Sequence, residues 1–204
     1  MIAGTLAANG YRSAALATLV AFAALLRINE FIHLTIRDVA LPDDPRLGIV
    51  GSTTHTVLHI PHAKTGKNQS ATIHDPHIIS LLSRFMSLRR NSGASLDDSL
   101  FNIESDSIFR HAFNRVLGLL ELTHCHFVPH SLRHGGATHA LNHGAEMATV
   151  LQRGRWRSTK SAGLYLQQAS ASRLATVIPD HICRLAKELT DTFPESFIIK
   201  FFDD

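Results

Sequence analysis

The stretch "PHSLRHGGATHALNHGAEMATVLQRGRWRSTKSAGLYLQ", Pro129 to Gln167, holds the chain's one tryptophan, Trp156, and one of its two tyrosines, Tyr165. Pro129 suits the first position of a helix, where its missing N–H costs nothing, and Gly144 suits the stop. Inside that helix His130 and Arg133 are three apart and share a face. Gly135 and Gly136 follow, and they imply close backbone approach, either to an adjacent helix or to a nucleic-acid strand. Shorter helices are expected at about 145–152, 158–167 and 171–190, the last interrupted near Pro179. Basic residues crowd Trp156 and small residues precede Tyr165. The pair reads either as packed aromatics of an amphipathic helix or as the reactive end of a site.

Upstream, Tyr11 to Leu26 reads as a helix rich in Ala and Leu, apolar almost all round and therefore buried. Its apolar run, Ala14–Leu26, is 13 residues long, short of the roughly 20 that a membrane helix requires. "RINEFIHLTIRDVAL" is expected to give a short second helix leading into a strand near Ile36–Leu41. "LPDDPRLG" is a turn cluster. "HTVLHIPHAKTGKNQSATIH" gives two β-rich runs around the basic tip Lys64-Thr65-Gly66-Lys67, a hairpin. Asp75 and Pro76 are an N-cap and first helical position for a helix to about Arg90. Ser105 or Asp106 caps another through about Leu120. Helices, a small antiparallel sheet and more helices make a mostly α, α+β domain.

The 204 residues fit one large domain, or one domain with a small appendage, with 45% hydrophobic and 18% charged residues, which is globular composition. A net charge of +3 and a pI near 9.1 allow a polyanionic partner without demanding one. Cys125 and Cys183 form no disulfide framework and match no zinc spacing. A reducing, intracellular setting is expected. His130 and His134 at i, i+4 lack a convincing third ligand, His124 and His126 being weak candidates, so no metal is expected.

Four stretches place cationic or proton-transferring groups beside structure breakers or element ends. They are "LLRINEF" with Arg27 and Glu30, "HAKTGK" with Lys64, "VPHSLRHGG" with His130, Arg133 and His134, and "GRWRSTKSAGLY" with Trp156 and Tyr165. A phosphodiester attacked without a metal needs guanidiniums on its non-bridging oxygens to stabilise a dianionic, phosphorane-like transition state. It needs a proton donor for the leaving oxygen and a base for the nucleophile. The nucleophile itself must be a hydroxyl that can form a covalent intermediate. Arg27, Arg133, Lys64, His130 and Tyr165 fill those roles one for one. Taken singly each has a plainer reading: Arg27 and Glu30 as a surface ion pair, Lys64 as a solvated charge, Trp156 as core.

In order, Arg27-x-x-Glu30, Lys64, His130-x-x-Arg133-His134, Trp156 and Tyr165 resemble the catalytic domain of the tyrosine recombinases, the phage-integrase family. The likeness runs over roughly residues 10–170. "LLRINEFIHLTIRDV" is similar to the family's first conserved block, and Pro129–Gln167 to its second. A tryptophan at position 156, where many members carry histidine, is similar to the Cre branch. The resemblance implies that Arg27 and Arg133 bind the scissile phosphate and that Lys64 protonates the leaving 5′ oxygen. It implies proton transfer at His130, an indole N–H donated to the phosphate by Trp156, and attack by Tyr165. The product would be a 3′-phosphotyrosyl enzyme, with bond energy kept and no cofactor needed. Glu30 and His134 would support these residues, and Lys67, Arg153, Arg155 and Arg157 would contact DNA.

The expected organisation is a leader over 1–10, a catalytic domain over 11–190 and a tail over 191–204 that packs on its own domain or docks on a neighbour. The family usually has a glycine two residues before the first arginine, where this chain has Leu25 followed by Leu26. It also usually has an N-terminal helical domain that closes over DNA, for which residues 1–10 leave no room. Either the chain is a fragment, or a shortened member, or a partner supplies that half. The expected partners are double-stranded DNA and further copies of the chain, as a tetramer on DNA. The function implied is strand cleavage and rejoining in site-specific recombination, integration or transposition. The competing readings are a DNA-binding module that keeps the fold without recombining, and a type IB topoisomerase.

Overall fold

A computed structural model of the chain describes residues 1–42, 44–47, 54–61, 66, 68–158 and 178–191. Lys64, Lys67 and Tyr165 lie outside the described residues, as do all but the first residue of the helix expected at 158–167, the first part of the one expected at 171–190, and the tail from 192.

The described elements are α1 (Ile2–Ala8), α2 (Arg12–Ala23), α3 (Ile28–Ile32), β1 (Val39–Ala40), β2 (Thr56–Ile60) and β3 (Gln69–Ile73), then α4 (Pro76–Asn91), α5 (Asp106–Leu119), α6 (Pro129–Asn142), α7 (Met147–Arg153) and α8 (Asp180–Asp191). The mostly helical architecture with one small antiparallel sheet is the one expected. The sheet order is β1-β2-β3, with Leu58 opposite Val39 on one side and Ala71 on the other. Thr56, Leu58 and Ile60 are buried while His59 faces out, the two-residue alternation of a sheet with one covered face.

The helix starts follow from local chemistry. The Asp75 carboxylate accepts from the His77 and Ile78 N–H groups, with Pro76 at the first position of α4. The Ser105 hydroxyl accepts from Ile108 N–H at the head of α5. These side chains satisfy donors that a helix N-terminus otherwise leaves unpaired.

Two segments differ from the sequence reading. The expected leader is a helix: Leu6 is fully buried and α1 packs on α2 and α5. The expected strand at Ile36–Leu41 begins instead as a 3-10 turn over Ile36–Asp38, leaving only Val39–Ala40 as β1. The Asp38 carboxylate accepts from both the Thr35 N–H and hydroxyl, which closes the turn and shortens the strand. Helix α2 is buried along most of its length, and in the core between α3 and α5 Phe31 meets Phe109 edge-on while Phe109 stacks on Phe113. No helix of the described residues is long and apolar enough to cross a membrane.

Candidate active site

The first half of the site is a turn. Helix α2 ends at Ala23, Leu25 takes φ +53°, and Leu26 N–H donates back to Ala21 carbonyl. That six-to-one bond with a left-handed residue before it is the helix stop that glycine usually provides. Here a leucine adopts it, at a backbone cost of about 1–2 kcal/mol. Its side chain, 1% exposed and packed with Ala137 and Val150, offsets that cost by burial. The substitution noted in the sequence therefore keeps the turn.

Arg27 follows as the N-cap of α3. Its backbone N–H donates to Glu30 Oε2 at 2.8 Å and its Nη1 to Glu30 Oε1 at 2.6 Å. The first contact is the reach-back half of a capping box. Glu30 is 3% exposed, so the surface ion-pair reading of Arg27 and Glu30 does not describe this pair.

The second half comes from α6 and the end of α7. Gly136 lets α6 cross α2 at contact distance: a Cβ there would lie 2.1 Å from Phe22 carbonyl oxygen and 2.7 Å from Leu25 Cδ2. The adjacent-helix reading of this glycine is thereby the one the structure shows. The crossing brings Arg133 under the Leu25 turn. Arg133 Nη1 donates to Leu25 carbonyl at 2.5 Å, and Nη2 donates to Gly154 carbonyl. The Arg133 side chain is 1% exposed. The Trp156 ring covers it, with Arg133 Cζ 4.2 Å from the ring centroid, a cation–π contact. Gly154 makes room for that ring, since a Cβ on it would fall 1.8 Å from Trp156 Cζ3.

Glu30 joins the halves. Arg155 Nη2 donates to Glu30 Oε2 at 2.5 Å, and Arg133 Nη1 lies 4.0 Å from the same oxygen. Three guanidiniums thus converge on one carboxylate, and the pocket keeps an excess of positive charge that suits an anion. Burial first, then Arg27 and Arg155, push the Arg133 pKa down to about 9, with Glu30 opposing. Arg133 is still protonated at neutral pH. Burial also lowers Arg155, with Glu30 opposing and Arg27 adding to the drop.

At the exposed start of α6, His130 Nε2 and His134 Nε2 are 2.9 Å apart. One ring must donate and the other accept, so both cannot be imidazolium. Partial desolvation, then the charges of Arg133 and Arg27, hold His130 below its ordinary value, with Glu30 opposing. A neutral His130 at pH 7 can accept a proton.

The structure therefore brings together Arg27, Glu30, His130, Arg133, His134 and Trp156 from two segments a hundred residues apart. Of the expected DNA contacts, Arg157 is exposed, Arg153 Nη2 is held by Ala23 carbonyl at 3.0 Å, and Arg155 is buried against Glu30. The sequence gives no sign of the Leu25 and Gly154 carbonyls that fix Arg133. Only the glycine two residues before the single tryptophan could have marked the second.

The site is thus a buried guanidinium cluster, with an indole over Arg133, set in a mostly helical domain with a small antiparallel sheet. The phage integrase family pattern matches residues 3–172, and the chain belongs to that family. Among solved structures, the XerH site-specific recombinase bound to difH substrate, in a pre-cleavage complex, has a TM-score of 0.56 at 18% identity over 79% of this chain. The XerA recombinase has a TM-score of 0.58 at 20% identity over 95% of this chain. The alignments span 45% and 62% of those two chains. No curated protein sequence matches the chain.

Proposed function

We propose that this chain carries the catalytic site of a tyrosine recombinase, cleaving and rejoining DNA strands through a 3′-phosphotyrosyl intermediate. The convergence of Arg27, Arg133 and Arg155 on buried Glu30, beneath Trp156 and beside His130, carries this reading. In it, Arg27 and Arg133 bind the non-bridging oxygens of the scissile phosphate. The donors are held in place before the negative charge develops, which is where electrostatic stabilisation contributes most. Because Arg133 is enclosed, a phosphate oxygen reaches it by displacing the indole or replacing one of its carbonyl partners.

The chemistry balances without an oxidant, a metal or a nucleotide. The Tyr165 oxygen forms a bond to phosphorus as the bond from phosphorus to the 5′ oxygen breaks. The phenol proton passes to His130, and Lys64 protonates the leaving oxygen. A 5′ hydroxyl from another strand reverses the step. The roles of Tyr165 and Lys64 rest on likeness to the family's motifs. Double-stranded DNA, further copies of the chain on it and a clamp domain, in the same protein or a partner, complete the proposal.

The test is a pool of nicked duplexes with a randomised core, incubated with the protein and resolved under denaturing conditions. The expected result is a covalent protein–DNA adduct that Tyr165→Phe abolishes. An adduct formed by Tyr165→Phe removes Tyr165 as nucleophile. Absence of any adduct from the unaltered protein overturns strand cleavage and leaves a DNA-binding module.

A further inference from the structure

Helix α7 stops in the same unusual way as α2. Trp156 N–H donates to Leu151 carbonyl and Arg155 N–H to Gln152 carbonyl, with Arg155 at φ +53°. Glycine is the usual residue at such a left-handed stop, and an L side chain there costs about 1–2 kcal/mol. Leu25 offsets that cost by filling the core. Arg155 instead sends a guanidinium to Glu30, Nη2 donating to Oε2 at 2.5 Å. Its Nε and Nη1 are sealed from solvent. Neither is open to a ligand, so this charge acts through its neighbours.

The two oxygens of Glu30 have different partners. Oε2 accepts from Arg27 N–H at 2.8 Å and from Arg155 Nη2, with Arg133 Nη1 4.0 Å away. Oε1 accepts from Arg27 Nη1 at 2.6 Å. Arg27 is also the most open of the three guanidiniums, its side chain 22% exposed against 1% for Arg133 and 7% for Arg155. It is the one that can turn toward an incoming anion, and its Nη1 must leave Oε1 to do so. Stripping a buried carboxylate of its counter-charge is strongly unfavourable. With Arg155 in place, Oε2 keeps both its backbone bond and a guanidinium while Arg27 turns. The charge balance has the same sign. Three guanidiniums against one carboxylate leave an excess of two positive charges, and without Arg155 an excess of one. A phosphodiester is a monoanion and its phosphorane-like transition state a dianion, so a nearby cation acts more on rate than on affinity.

We infer that Arg155 is a positioning residue for strand cleavage: it is the standing counter-charge of Glu30, which frees the Arg27 guanidinium for the scissile phosphate, and it does not itself contact DNA. This rests on the proposed recombinase chemistry and replaces the DNA-contact role expected for Arg155 from the sequence.

The test follows single-turnover adduct formation at rising concentrations of the nicked duplex recovered from the randomised pool. That separates the rate constant at saturation from the half-saturating concentration. Loss of folded protein alone lowers the amount of adduct and leaves the rate constant unchanged. Arg155→Gly removes the side chain and relieves the positive φ. Its saturating rate constant is expected to fall on the order of 10-fold to 10²-fold, with an unchanged half-saturating concentration. Arg155→Lys and Arg155→Met form a second comparison, since both keep a long stem and the backbone strain while only lysine keeps the charge. Lysine is expected to recover part of the rate and methionine none. An unchanged rate constant in Arg155→Gly overturns the inference, and so do equal rates in Arg155→Lys and Arg155→Met. A raised half-saturating concentration with an unchanged saturating rate makes Arg155 a DNA contact and also overturns it. Absence of adduct from the unaltered protein is a separate result: it overturns strand cleavage itself, and this inference with it.

Discussion

Replacing Gly136 by alanine should destabilise the protein and displace Arg133, whereas the same change at the neighbouring Gly135 should not. At Gly136 the new Cβ would stand 2.1 Å from a backbone oxygen, Phe22 carbonyl, and 2.7 Å from Leu25 Cδ2. A carbon atom needs roughly 3.5 Å from its neighbours, so α6 must retreat from α2 by about an ångström. Among the described residues, the Cβ added at Gly135 meets only the Phe22 ring, at 3.4 Å, an ordinary contact. Both positions lie inside α6, where alanine is favoured over glycine by about 0.8–1.0 kcal/mol. Gly135→Ala should therefore be neutral or stabilising by up to that amount. Gly136→Ala must overcome the same gain and still lose about 1–3 kcal/mol to overpacking. For a domain of this size a loss of 1 kcal/mol lowers the melting temperature by about 2–4 °C. The retreat also withdraws Arg133 from Leu25 carbonyl, and an ångström of misplacement in a reacting site costs on the order of 10²-fold in rate. Urea unfolding and thermal melts on both variants give the comparison, with adduct formation as the functional arm. Equal stability of Gly136→Ala and Gly135→Ala would refute the crossing geometry on which the position of Arg133 depends.

Glu30→Gln removes the one carboxylate shared by three guanidiniums while keeping its shape. Breaking a buried charge cluster in this way should cost about 3–5 kcal/mol, read as a lower urea midpoint; an unchanged midpoint would show that the carboxylate is not the counter-charge. His130 has a folded pKa below its unfolded value of about 6.5, so the unfolded chain binds more protons around that pH. Stability should therefore rise with pH as His130 loses its proton. Cleavage should show an acid limb below about pH 6.5, and an acid limb unchanged in His130→Gln would remove His130 from proton transfer.

The parts legible in the sequence were those set by neighbours along the chain. Asp75 with Pro76, Ser105, and Pro129 through Gly144 announce helices because the capping and stopping groups sit within a turn of the elements they govern. The hairpin shows through the alternation of Thr56–Ile60 and Gln69–Ile73. The 3-10 turn before β1 escaped because "IRD" beside "VAL" suits a strand until the Asp38 side chain folds back on Thr35. Helix α1 escaped because its burial depends on α2 and α5 rather than on its own composition.

The candidate site divides in the same way. Residue types and order pointed to Arg27, His130, Arg133 and Trp156, and the structure places them together. Glu30 alone looks like half of an i, i+3 surface pair. Its burial comes from Arg133 and Arg155, whose approach no local pattern encodes. Leu25 is the sharper case: nothing in a leucine announces φ +53°, and its carbonyl matters more to Arg133 than its side chain.

The bonds that hold Arg133, Arg153 and Arg155 also fix when the site can exist. Arg133 to Leu25 spans 108 residues, Arg155 to Glu30 spans 125, and Arg153 to Ala23 spans 130. Closing loops of that length is an entropic cost that local helices do not meet, so such contacts form late and slow the overall rate. During synthesis the arginines of the second segment emerge long after the turn that receives them. A chain arrested before Gly154 can build most of its helices and sheet yet lacks the carbonyl, the indole and the third guanidinium. By loop length, the guanidinium cluster is expected to assemble after the local helices and the hairpin, so its two halves report on the folding of the chain between them.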